Sequence, residues 1–273
     1  MIGNEDLVKS FKRISADKSL YHSYIFFGDP QIGKFTFAKE LANFLENNKF
    51  ETPNSFLNEV MEITPDENGN IGIDRIRDLK QFLFQRPIRS DKRVVIINDA
   101  DTTTSQAQNA ILKIAEEPPT SALIILIVSN PDSLIATLQS RFAKIYFKRV
   151  EERKIEKFLM DDFEVTEELA KSIAKISFGR PGRALDLFKN EEIINLNKNV
   201  KAFIKNKAGR STYIKSLEDG RQINMFMNEL IAELSRDFSK NWVILKSISD
   251  RFTKMSEFNT NKKLQIQAAI SEL

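Results

Sequence analysis

The sequence predicts an α/β fold with a parallel sheet, followed by a region that is helical throughout. From about residue 20 to 150, short apolar runs alternate with stretches of helical period. Two of the runs, "KRVVIIND" (92–99) and "ALIILIVSN" (122–130), are almost continuously apolar, as strands covered on both faces of a parallel sheet must be. After Val150 the strand patterns stop and only helical spacing remains.

Each element follows from its residues. A mixed polar helix opens the chain near Asn4 to Ala16. "HSYIFFG" (22–28) is a short buried strand running into a glycine turn, and Phe37, Leu41, Phe44 and Leu45 give residues 33–48 one apolar helix face. "FLNEVMEITP" (56–65) supplies a second strand. The helix after it runs from about Ile73 to Phe84, with Asp74 in its first turn and Pro87 beyond its end. Residues 92–99 form the third strand, a helix spans Ser105 to Glu117, residues 122–130 form the fourth strand, and "AKIYFK" (143–148) adds the last. Parallel neighbours joined this way need right-handed crossovers. Residues 151–190 read as three short helices interrupted by "GRPGR" (179–183), and Gly209 and Gly220 punctuate the helical remainder. The expected organisation is an α/β domain over 1–150, a small helical module over 151–190 and a helical domain over 191–273, without internal repeats.

Composition removes whole classes of chemistry. The 273 residues contain no cysteine and one histidine, which excludes disulfides, cysteine-ligated zinc and a histidine-rich metal site. With 41 Lys and Arg against 38 Asp and Glu, the chain is no uniformly basic duplex binder. The surplus is local: residues 196–273 carry 14 basic against 8 acidic side chains, leaving 27 against 30 in the rest. No apolar run is long enough for a membrane span and Met1 opens no signal peptide, so the expected location is cytoplasmic with no membrane partner. The 21 phenylalanines are expected in cores, and His22 as a packed or edge residue.

The chemistry-bearing stretch is "GDPQIGKFTF". Gly28, Gly33 and Lys34 have phosphate-loop spacing, after a strand and at the start of a helix, where backbone N–H groups and a helix N-terminus hold phosphates. The next position should offer a hydroxyl to Mg²⁺, and Phe35 has none. One step along a helix turns a side chain by about 100°, so Thr36 is expected to point away. A neighbouring strand should end in a metal-holding carboxylate. "VVIINDAD" ends with Asn98 at that position and Asp99 at the position of the base; shifted by one, Asp99 takes the metal and Ala100 replaces the base. Either pair is incomplete.

"HSYIFFGDPQIGK", "NAILKIAEEPP" (109–119) and "LIATLQSRF" together resemble the delta-prime family of bacterial DNA polymerase III clamp-loader subunits, closely over residues 5–150, more loosely through "GRPGRALDLF" and in outline beyond. The resemblance implies an AAA+ domain with a degenerate phosphate loop over 1–150, a helical lid over 151–190 and a helical collar for oligomerisation over 191–273. It implies a non-hydrolytic member of a ring that loads the sliding clamp onto primed DNA. The expected partners are ATP-binding motor subunits and the clamp-opening subunit, with the clamp and primer-template DNA reached through the complex. Ser140 and Arg141 match the family's Ser-Arg-Cys element, Phe142 replacing the cysteine; in relatives this arginine reaches the γ-phosphate of ATP held by the neighbouring subunit. Ser129 and Asn130 fall where active relatives keep a polar γ-phosphate sensor, or they simply form a strand-end turn. An arginine of ATP-hydrolysing relatives aligns with Gly182; Arg183 and Arg180 remain for a displaced contact, or are solvated charges. Glu116 and Glu117 resemble an acidic family signature, or merely end a helix. The cysteine-ligated zinc module of many relatives has no counterpart in "NNKFETPNS" (47–55).

The resulting expectation is a subunit that donates Arg141, with Ser140, to a neighbour's nucleotide. Its own Gly28, Gly33 and Lys34 are then a remnant that holds phosphate weakly or not at all, with no metal and no cofactor assigned. The alternatives are an ATP-hydrolysing motor subunit of the gamma/tau kind, with Thr36 and Asp99 completing the site, and a small-molecule kinase, for which no second pocket or base is evident in the sequence.

Overall fold

The computed structural model of the protein describes residues 2–206, 209–217 and 220–257. Helical patterns expected beyond residue 257 lie outside the described residues.

Helix α1 (Glu5–Ala16) precedes an alternation of β1 (Ser23–Phe27), α2 (Lys34–Asn47), β2 (Val60–Ile63), α3 (Ile73–Leu83), β3 (Arg93–Ile97), α4 (Ser105–Glu116), β4 (Ala122–Val128), α5 (Ala136–Arg141) and β5 (Ala143–Tyr146). Capping chemistry sets some of these ends. The Thr104 side-chain oxygen accepts the Ala107 N–H at 3.2 Å and starts α4. Helix α5 was not legible as a periodic element: its six residues make under two turns, and Leu138 alone is buried.

The sheet has five strands in the order β2-β3-β4-β1-β5, all parallel. Side chains alternate between its faces. Ile25, Val95, Ile97, Ile124, Leu126 and Val128 face α3, α4 and α5, whereas Tyr24, Phe26, Val94, Ile96, Leu123, Ile125 and Ile127 face α1 and α2. Both faces are covered, which explains why β4 has seven consecutive buried residues and no polar one.

At the edge formed by β2, Glu59 and Arg93 are buried and lie 3.4 Å apart. Glu59 Oε1 also accepts the backbone N–H groups of Ile88 and Arg89, at 2.6 and 3.1 Å. The carboxylate thereby ties the segment after α3 to the sheet.

Three helices follow: α6 (Glu152–Phe163), α7 (Glu167–Ser177) and α8 (Pro181–Lys189). α8 starts inside "GRPGR" because proline at a first helical position lacks an N–H that would go unpaired there anyway. The chain divides into two compact units between Asp186 and Leu187. In the second unit lie α9 (Glu191–Lys205), α10 (Arg210–Ser216), α11 (Gly220–Leu234) and α12 (Phe238–Glu257). Its core includes Val200, Phe203, Ile214, Phe226, Leu230 and Ile248. Buried Arg210 donates to the carbonyl oxygens of Phe203 and Ile204 at 3.0 and 2.7 Å, satisfying the open end of α9. Among the described residues, no helix is long and apolar enough to cross a membrane.

Candidate functional site

β1 delivers the chain to the C-terminal edge of the sheet, where the loop 28–33 turns into α2. Its backbone needs special residues. Gly28 has φ 135°, and a Cβ there would stand 2.6 Å from the Phe147 carbonyl oxygen; Gly33 has φ 94°. Gln31 also adopts positive φ, at 63°, without being glycine. A cleft of ≈ 510 Å³ opens over this loop.

Of the residues singled out in the sequence, Gly33, Lys34, Phe35, Thr36, Asn98, Asp99, Ser129 and Gly182 line that cleft. Lys34 is buried and folded back on its own loop, donating to the carbonyl oxygens of Gly28 at 2.5 Å and Asp29 at 2.8 Å. Burial pushes its pKa down, against the pull of Asp101, Asp29 and Asp99. Phe35 presents a ring where the hydroxyl belongs, and the Lys39 ammonium sits 4.6 Å from the ring centroid. Thr36, expected to turn away, lines the cleft as well. The Asn98 amide donates to Asp99 Oδ2 at 2.8 Å. Burial raises the Asp99 pKa, Asp101 reinforces this and Lys34 opposes it. Asp101 was missed in the sequence, although it stands two residues after Asp99 in "NDAD"; its carboxylate accepts the Ser129 N–H at 3.4 Å. The Asn130 side-chain oxygen accepts the Asp132 N–H at 3.0 Å and caps the turn at Pro131. Phe35 offers no ligand oxygen, the Asn98 amide stands beside the Asp99 carboxylate, and Thr36 belongs to the same lining.

The start of α8 closes on the loop. The Gly182 N–H donates to the Gln31 carbonyl oxygen at 2.9 Å, the Gln31 side-chain amide donates to Asp186 at 2.6 Å, and Arg149 is ion-paired with Asp29. A Cβ on Gly182 would lie 3.0 Å from both Cβ and O of Gln31, so any side chain here requires the loop or α8 to give by a few tenths of an ångström. The Nε atoms of Arg180 and Arg183 donate to the carbonyl oxygens of Ser177 (3.4 Å) and Ile176 (3.3 Å), and neither residue is part of the cleft lining. Gly182→Ala should destabilise the first unit by about 1 kcal/mol in urea unfolding, because overpacking costs about 1–3 kcal/mol and the better helix former returns at most about 1. A net gain in stability would show that α8 does not press on the loop.

Arg141 lies elsewhere. It ends α5 just before β5, and Ala143 pairs with Tyr24 near the start of β1, whereas the loop under the cleft begins at Gly28, after the strand's end. At about 3.3 Å per residue, roughly 13 Å of strand separates those levels. The guanidinium is half-exposed, with Nη2 3.0 Å from Glu116 Oε1 and Nη1 donating to the Thr137 carbonyl oxygen at 3.3 Å. Ser140 is exposed and its hydroxyl donates to the same carbonyl at 3.0 Å. Half-buried His22 marks the same end of the sheet, and burial together with nearby Lys92 lowers its pKa. Phe142 is buried in the core beneath α5 and leaves the guanidinium outside.

Comparison with known proteins agrees with this architecture. The chain is 29% identical over 168 residues to the DNA polymerase III subunit tau of Bacillus subtilis, a match covering 57% of this chain and 30% of the relative. It is 30% identical over 130 residues to the DNA polymerase III subunit delta' of Escherichia coli, covering 47% and 39%. The chain therefore spans less than half the length of either relative. A crystal structure of a DNA polymerase III, gamma subunit-related protein from Thermotoga maritima superposes with a TM-score of 0.51 at 22% identity, covering 96% of this chain and 97% of that one, and so shares its fold. A family model described as DNA polymerase III, delta subunit matches residues 3–151, over half of the sequence. The chain belongs to this DNA polymerase III family of clamp-loader AAA+ subunits.

Proposed function

We propose that the protein is a delta-prime-like clamp-loader subunit that does not hydrolyse ATP itself and lends Arg141 to a nucleotide bound by a neighbouring subunit. The observation that supports this best is the separation within one sheet. In the chain's own cleft Phe35 and Asn98 stand where magnesium-anchoring groups are expected, and the half-exposed guanidinium stands at the other end of the sheet, out of reach of that cleft. An arginine so placed acts on a second molecule or on none. In this reading Gly28, Gly33 and Lys34 are a remnant with weak or no nucleotide affinity. Residues 151–190 form a lid, and 191–273 a collar through which the chain joins ATP-binding and clamp-opening subunits. The complex brings it to the sliding clamp and primed DNA.

A second reading, an ATP-hydrolysing subunit of the gamma/tau kind, has one observation in its favour: Thr36 and Asp99 both line the cleft. The relatives include tau and delta' alike. Titrating the full chain with ATP, with and without Mg²⁺, separates the two. The expected result is an affinity that Mg²⁺ does not improve, and no turnover above background. Tenfold tighter binding with Mg²⁺, together with hydrolysis that Lys34→Ala abolishes, would establish the motor reading instead.

A further inference from the structure

Glu116, at the end of α4, faces Arg141 at the end of α5, and the two are tied at 3.0 Å although their side chains remain 43% and 41% exposed. Ion pairs this exposed add little to stability. Their geometric effect is another matter. The guanidinium is held from two sides, by Glu116 Oε1 on Nη2 and by the Thr137 carbonyl oxygen on Nη1, and its main chain is anchored by the buried Phe142 next to it. One of its five N–H donors is hydrogen-bonded, to Thr137, and Glu116 adds an ion pair at Nη2, which leaves donors for a ligand. A long side chain with many rotamers is thus fixed before anything binds. We infer that Glu116 is a positioning residue for Arg141: it keeps the guanidinium in the orientation in which it meets phosphate charge on a nucleotide of the neighbouring subunit. This rests on the reading of Arg141 given above.

The opposite role, a carboxylate that sequesters the arginine, makes a different prediction. Alanine at 116 would then free the guanidinium and raise turnover, and glutamine, which removes the charge, would do so too. Positioning requires only an acceptor oxygen at the place of Oε1, which Glu116→Gln retains.

The experiment uses the full chain reconstituted with its ATP-binding partner subunits, clamp and primed DNA, with kcat and KM for ATP measured. Fixing a rotamer-rich side chain in advance is worth roughly three- to tenfold, so Glu116→Ala should lower kcat by about that factor with KM for ATP unchanged, and Glu116→Gln should restore most of it. In the Arg141→Ala background, Glu116→Ala should have no further effect. An equal loss in that background, or a wild-type or raised kcat in Glu116→Ala alone, overturns the inference and leaves the reading of Arg141 standing. An Arg141→Ala assembly with unchanged turnover overturns both. Thermal unfolding of the free variants monitors folding, and the Gln variant carries the test if the Ala variant is unstable: a raised kcat with Gln supports sequestration and rejects positioning.

Discussion

Arg141→Ala should lower ATP turnover at the site it faces by about 10³-fold or more, while changing the stability of the free chain by no more than about 1 kcal/mol. The two halves of this expectation come from different physics. In the free chain the guanidinium is half-exposed and makes one ion pair with Glu116 and one hydrogen bond to Thr137. Such contacts exchange for water at little net cost. In the assembly, charge develops on the transferred phosphoryl oxygens, and a forked, permanently protonated donor in a water-poor interface stabilises it by about 4 kcal/mol or more. Arg141→Lys should recover little, since an ammonium keeps the charge but loses the planar fork. The clearest measurement is turnover in an assembly whose other nucleotide sites carry substituted phosphate-loop lysines, so that only the site facing Arg141 fires. Unchanged turnover there would remove the arginine from the reaction.

Legibility in the sequence followed physical range. Strands and long helices were readable to within a few residues because burial imposes a period. β4 is apolar at every position since both its faces are covered, and α2 shows its core face through Phe37 and Leu41. The strand order was not readable, because period says which residues are buried and not which strand lies beside which. The same limit hid the site's geometry. That Lys34 donates to Gly28 and Asp29 depends on where a flexible chain folds in three dimensions. That Gly182 presses on Gln31 joins positions far apart in sequence through α8. Phe35 and Asn98 were readable as chemical departures from a pattern, because each is a change of residue type at a fixed spacing. Glu116 was readable only as part of an acidic family signature or as a helix end; its pairing with Arg141 joins the ends of α4 and α5, which lie apart in sequence.

Phe37→Ala should cost about 3–5 kcal/mol and lower the unfolding midpoint of the first unit by roughly 6–20 °C. Phe37 is fully buried on the inner face of α2, and four rings surround it in edge-on geometry: Phe11 at 5.4 Å, Phe26 at 5.6 Å, Phe50 at 5.3 Å and Phe147 at 5.3 Å between centroids. Those rings come from α1, β1, the segment after α2 and the segment after β5. They cannot all move inward to fill the space without leaving their own elements, so the cavity term adds to the lost transfer energy. Phe37→Leu refills most of the volume and loses mainly the edge contacts, each worth about 0.5–1.5 kcal/mol, and should fall well short of the alanine cost. The loss also reaches the cleft. Gly28 packs against the Phe147 carbonyl oxygen, and Phe147 packs against Phe37, so loosening the cluster releases the turn that starts the phosphate loop. Amide hydrogen exchange at residues 28–38 should therefore quicken in Phe37→Ala relative to β3 and β4. Uniform protection across the sheet, with a midpoint within 3 °C of wild type, would mean that the aromatic cluster is not what holds α2 in place.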